Sequence, residues 1–96
     1  MPFEVVYHPE VKGKDLLCIP KNIQTRIRRA IESRLLENPV SAGKPLTQSL
    51  KGHRKMRVGD YRVIYRVDED KNFIRVLIIG NRKDVYTKVF KRFPVV

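Results

Sequence analysis

The segment Leu50–Tyr86, LKGHRKMRVGDYRVIYRVDEDKNFIRVLIIGNRKDVY, decides how this chain folds. Apolar and charged residues alternate on both sides of Gly59-Asp60, the pattern of an antiparallel hairpin closed by a tight turn. The spacing predicts strands over Arg54–Val58 and Tyr61–Asp68. Glu69–Asn72 then turns the chain into a third strand, Phe73–Ile79, which Gly80 is expected to end.

A two-residue turn pairs Val58 with Tyr61, Arg57 with Arg62, Met56 with Val63 and Lys55 with Ile64. Opposed residues share a face and faces alternate along a strand. Met56, Val58, Tyr61, Val63, Tyr65 and Val67 therefore make one apolar face, while His53, Lys55, Arg57, Arg62 and Arg66 crowd the other. A four-residue turn at 69–72 sets Arg75 opposite Arg66 on that second face. Arginines placed directly opposite each other repel. Such a row makes sense where an anion sits between its members, because guanidinium forks meet phosphate oxygens two at a time. A slip of one residue would scatter these charges over both faces, so the turn carries the argument.

Working outward, Phe3–His8 reads as a first strand ending at Pro9, and residues 10–18 as a short helix weakened by Gly13. Pro20 opens the clearest helix, which runs to about Glu37 and stops at Asn38-Pro39. Ile23, Ile27, Ala30, Ile31 and Leu35 recur at helical spacing as one apolar stripe. Arg26, Arg28, Arg29, Glu32 and Arg34 fall elsewhere, as a solvated face. Residues 40–52 read as a loop, and Asp84 is placed to cap a C-terminal helix carrying Val85, Val89 and Phe93. The expected fold is one α+β domain over residues 1–96. Two N-terminal helices pack on an antiparallel sheet, a short helix follows at the C-terminus, and the helices gather on one face.

Composition narrows the function. Ninety-six residues carry 21 Lys and Arg against 10 Asp and Glu, a net charge of +11. The second half holds most of the excess, with thirteen basic and five acidic residues over 49–96. Such a field draws polyanions, and nucleic acid is the leading partner. No apolar run approaches a membrane span, and the single cysteine, Cys18, allows no intrachain disulfide and fits a cytoplasmic location. His8 and His53 lack companions at metal spacing. Asp68-x-Asp70-x-Asn72 mimics the start of a calcium loop, but Phe73 and Ile79 stand where Gly and Glu are needed. No metal and no cofactor is expected.

Leu50-Lys51-Gly52 followed by Met56-Arg57-Val58-Gly59-Asp60-Tyr61-Arg62-Val63-Ile64-Tyr65 closely resembles the RelE/ParE toxin superfamily of toxin–antitoxin modules. The opening strand, the Pro20–Leu35 helix and Ile78-Ile79-Gly80-Asn81-Arg82…Tyr86 fit the same superfamily, so the resemblance spans essentially the whole chain. It implies a microbial-ribonuclease-like fold. RelE-like members cut mRNA in the ribosomal A site without a metal; ParE-like members poison DNA gyrase and lack the catalytic set. Lys55, Arg62, Arg82 and Tyr86 fall on the RelE branch's catalytic lysine, two arginines and tyrosine, which favours the nuclease. Lys51, His53, Arg54, Arg57, Arg66 and Arg75 are the expected RNA-binding cations around them. His53 departs from the pattern, standing where RelE-like members carry a second lysine. The general base therefore lies among Tyr86, Lys55 and His53. The resemblance also implies an acidic antitoxin as partner, the ribosome with its A-site mRNA as the place of action, and promoter DNA reached only through the antitoxin. The alternatives are a gyrase inhibitor on the same fold and a basic RNA-binding module without catalysis.

Overall fold

The computed structural model describes residues 3–39, 43–45 and 53–93. Its centre is the expected meander. Strands β3 (His53–Val58), β4 (Tyr61–Asp68) and β5 (Phe73–Asn81) pair antiparallel, with Val58 opposite Tyr61, Arg57 opposite Arg62 and Arg66 opposite Arg75. Gly59 takes a positive φ of 57° at the first central position of its turn, where hairpins favour glycine. Asn72, at φ 55°, closes the second turn, and the Asp68 carboxylate accepts the Lys71 N–H at 3.1 Å.

Strand β1 (Glu4–Tyr7) joins the edge of β5, and the two-residue strand β2 (Lys44–Pro45) joins the edge of β3, giving the order β1-β5-β4-β3-β2. The β1–β5 pairing is parallel, so the sheet is mixed rather than wholly antiparallel. The intervening helical layer returns the chain across one face before the meander begins, as a parallel connection needs. Strand β5 also continues through Gly80 instead of ending there, because Arg62 pairs with Gly80 and Tyr61 with Asn81.

The helical layer begins with a π-type turn, Val11–Asp15, and a 3₁₀ turn, Leu16–Cys18. Helix α1 (Lys21–Ala30) follows Pro20 and widens into a further π-type turn, Ile31–Leu35. Ile27, Ile31 and Leu35 of the apolar stripe are buried against Met56, Val58, Val63, Tyr65, Ile74, Val76 and Ile79. Full burial of such a side chain is worth about 1.5–3 kcal/mol.

Helix α2 (Val85–Arg92) corrects the expected segregation: it packs on the opposite face, where Val85 and Val89 meet Ile64 and Ile78 in a second small core. Val76-Leu77-Ile78-Ile79 is apolar throughout because both faces of β5 are covered. Asp84 precedes α2 but makes no side-chain capping bond, and Phe93 lies just past the last helical residue.

A β-bulge makes this second core possible. Tyr65 pairs with Val76 but Ile64 pairs with Ile78, which leaves Leu77 extra. An unbroken ladder would send Ile78 to the helical side; the extra residue sends it, and Gly80, toward α2. A Cβ on Gly80 would lie 3.3 Å from the Val85 side chain, so glycine permits the close approach of α2.

Tyr65 ties the main core to the end of the helical layer. Its ring is fully buried and its hydroxyl donates to the Pro39 carbonyl at 2.8 Å. Burial pushes the hydroxyl pKa above its ordinary value of 10.0, against the opposing pull of Arg54 and Arg34. Tyr65→Phe is expected to lower stability by about 1–3 kcal/mol in denaturant unfolding, because the Pro39 carbonyl loses its donor. An unchanged midpoint would show that water replaces the hydroxyl.

Candidate active site

Side-chain alternation builds the site on the α2 face of the sheet. Lys55 pairs with Ile64, and Ile64 lies beneath α2, so Lys55 points toward the first turn of that helix. Tyr86 comes down from α2 and packs partly buried against the small core. The Lys55 ammonium lies 5.5 Å from the centroid of the Tyr86 ring, within cation–π range.

The Arg62 side chain and the Arg82 backbone both bond to the β3–β4 turn. The Arg62 Nη1 group donates to the Gly59 carbonyl at 3.1 Å and the Tyr61 carbonyl at 3.0 Å. A guanidinium has five N–H donors, so this anchoring leaves Nη2 and Nε to face an anion. The backbone N–H of Arg82 donates to the Asp60 carbonyl at 2.8 Å, and its side chain is exposed. Hairpin turn, end of β5 and start of α2 thus bring together residues that lie up to 31 positions apart in sequence.

The surrounding cations divide. Arg57 stands opposite Arg62, and His53 opposite Arg66, on the same face. Arg66 and Arg75 form the far end of that face, beside the 69–72 turn, with the Arg75 guanidinium 5.6 Å from the Phe73 ring centroid. Arg54 points the other way: opposite Tyr65, its Nη2 donates to the Gly43 carbonyl at 2.9 Å. Its expected place among the RNA-facing cations is corrected by strand alternation. Lys51 lies outside the described residues. Ion pairs elsewhere in the molecule join Lys14 to Glu10 and Arg92 to Glu10 and Asp15.

Next to Lys55 and Arg62 a cleft of about 300 Å³ opens, lined also by Arg34, Gly43, Lys44 and Arg57. Arg34 and Lys44 are its unexpected members. Only the β2–β3 pairing and the reach of the α1 extension reveal them, and no local pattern in the sequence marks either.

The model of the "ParE toxin of type II toxin-antitoxin system, parDE" family matches residues 5–86. The chain belongs to this family. The toxin is 34% identical over 83 residues to Toxin RelE of Mycobacterium tuberculosis, covering 83% of this chain and 86% of that one. It is 30% identical over 88 residues to Toxin RelG of the same organism, covering 92% of this chain and all of the other. The crystal structure of the toxin–antitoxin complex RelBE2 from M. tuberculosis contains a similar chain, with a TM-score of 0.79 and 28% identity over 85% of this toxin and 100% of that chain. The RelE/ParE fold expected from the 50–65 motif is the fold the toxin has. No helix among the described residues is long and apolar enough to cross a membrane.

Proposed function

We propose that this toxin is a metal-independent endoribonuclease that cuts mRNA in the ribosomal A site and so inhibits translation. The observation that carries the reading is the Lys55 ammonium stationed over the Tyr86 ring, on the face to which Arg62 also belongs. A phosphate gripped by cations and flanked by two proton-carrying side chains is what transesterification of RNA requires.

In the proposed reaction the ribose 2′-oxygen attacks the adjacent phosphorus while the bond to the 5′-oxygen breaks. The products are a 2′,3′-cyclic phosphate and a 5′-hydroxyl end. Arg62 neutralises charge developing on the phosphoryl oxygens, and Arg82 is the second clamp. The 2′ proton passes to the Lys55–Tyr86 pair, and the pair returns a proton to the departing 5′-oxygen. His53, Arg57, Arg66 and Arg75 hold the flanking chain. The described site contains no carboxylate base, so the toxin relies on the ribosome to orient its substrate.

The antitoxin is an acidic protein that covers this basic face, in keeping with the toxin–antitoxin pairing of the M. tuberculosis RelBE2 complex. Promoter DNA is reached through that antitoxin.

Mapping mRNA 5′ ends in a bacterial cell-free translation reaction tests the reading. The expected result is cuts within the ribosome-occupied codon and none on naked RNA treated with EDTA. Rapid cutting of naked RNA would remove the ribosome requirement. Intact mRNA accompanied by gyrase-dependent DNA breaks would move the toxin to the gyrase-poisoning branch.

A further inference from the structure

The cleft at the β2–β3 edge extends the candidate site toward residues that the catalytic scheme does not use. We infer that Arg34 and Lys44 form a second phosphate site there, holding the phosphodiester next to the scissile one in single-stranded RNA. This rests on the reading of Lys55 and Arg62 as an RNA-cutting face.

Three features of the cleft support it. Five of its six lining residues are cations, and the sixth is Gly43. Lys44 pairs directly with Lys55 across β2 and β3, so it is the next side chain outward on the row that starts beneath α2. Two opposed lysines repel as two opposed arginines do, and Arg57 opposite Arg62 repeats the arrangement on the neighbouring row. An anion lying between the rows relieves both pairs at once.

The second feature is how Arg34 arrives. It belongs to the helical layer on the other side of the sheet, yet its Nη2 donates to the Arg57 carbonyl at 2.8 Å, beyond the end of β2. That bond moors the guanidinium at the sheet edge, where Arg34 lines the cleft with further N–H donors to offer a ligand. The third feature is Gly43. A Cβ there would collide with the Lys55 carbonyl and the Tyr65 hydroxyl, so the backbone leading into Lys44 is seated tightly on β3. The position of Lys44 is built rather than incidental.

An acidic peptide would also meet these cations. RNA is favoured because the cleft shares Lys55 and Arg62 with the candidate site. A strand with its scissile phosphate there runs directly into the cleft.

The test is binding of a short 2′-O-methyl oligoribonucleotide, which lacks the attacking hydroxyl, to the purified toxin across a salt series. Each phosphate contact on a single strand contributes about 0.7 to the slope of log affinity against log salt. Arg34→Gln keeps a donor for the Arg57 carbonyl but removes the charge, and Lys44→Gln changes an exposed side chain. Each should weaken binding and flatten the slope by about 0.7, with the thermal midpoint unchanged. Arg29→Gln, the same charge loss elsewhere on the helical layer, should leave the slope intact.

Slopes of wild-type steepness in both cleft variants, or equal losses in Arg29→Gln, would overturn the second site. So would variants that lose affinity for polyglutamate but not for the oligonucleotide, an outcome that assigns the cleft to an acidic protein. Arg62→Gln separates the two readings. If it flattens the slope while the cleft variants do not, only the second site falls; if it too has no effect, the RNA-cutting face falls with it.

Discussion

Arg62→Ala should lower the single-turnover rate of ribosome-dependent mRNA cleavage by about 100- to 1000-fold, ~3–4 kcal/mol of transition-state stabilisation. The size follows from preorganisation. Nη1 is already held by the carbonyls of Gly59 and Tyr61, so the rest of the guanidinium waits in place and needs no reorientation when charge develops on the phosphoryl oxygens. Arg62→Lys should recover only part of the rate, because an ammonium keeps the charge but loses the planar fork. The turn supplies its own control. If Arg62 acted only by pinning Gly59-Asp60, the Ala variant would unfold earlier and cleave normally when folded. A normal rate in folded Arg62→Ala would end the nuclease assignment of this residue.

Arg92→Ala is the largest stability effect expected, about 3–5 kcal/mol, against a total of roughly 5–15 kcal/mol for an ordinary domain. The Arg92 side chain, only 10% exposed, forms a two-point pair with Asp15, itself 7% exposed, at 2.8 and 2.9 Å. Beyond the end of β1, the edge of β5 has no strand partner among the described residues, and this pair caps it. Asp15 accepts the Ile79 N–H at 3.0 Å while Arg92 donates to the Leu77 carbonyl at 3.0 Å. Removing the arginine therefore leaves a nearly buried carboxylate without its counter-charge, held only by the Ile79 N–H, and releases α2 from the helical layer on the other face. Chemical denaturation measures the loss, and a midpoint within error of wild type would refute it.

Acid should weaken the outer part of the same cluster. Glu10 bonds to Lys14 at 3.0 Å and to the Arg92 Nε at 2.9 Å. The hydrogen bond from Lys14, with the charges of Lys14, Arg92 and His8, holds its carboxyl below the ordinary 4.5. A depressed carboxylate adds stability that is present above the unfolded value and lost as pH falls through the folded one. Glu10→Gln should remove that acid-dependent component.

The residues that position the site differ in how openly they announce it. Lys55, Arg57 and Arg62 were placed on one face by a two-residue turn and strict alternation, and the observed pairs are the same ones. The Arg66–Arg75 pair followed from the four-residue turn at 69–72. Arg82 and Tyr86 carry no periodic signal, and the family resemblance alone singled them out. Arg54 shows the converse: it lies among basic neighbours in sequence, yet alternation turns it toward Tyr65 and Gly43. The side of the sheet that α2 covers is marked in the sequence only by the unbroken apolar run Val76–Ile79, which both faces bury.

By itself the sequence determined the meander, the α1 stripe and the row of cations, because turns and periodicities are local and each residue's face follows from its neighbours. Tertiary structure decided the remainder. The extra residue at Leu77 is invisible to alternation, since four apolar residues in a row fit either register. Yet it turns Ile78 toward α2 and seats Gly80 under Val85, which sets Tyr86 beside Lys55. Likewise Arg34 and Lys44 meet at the cleft only because the helical layer reaches the edge of β3 and a two-residue strand pairs there. Those outcomes depend on packing between segments distant along the chain, and local pattern does not encode them.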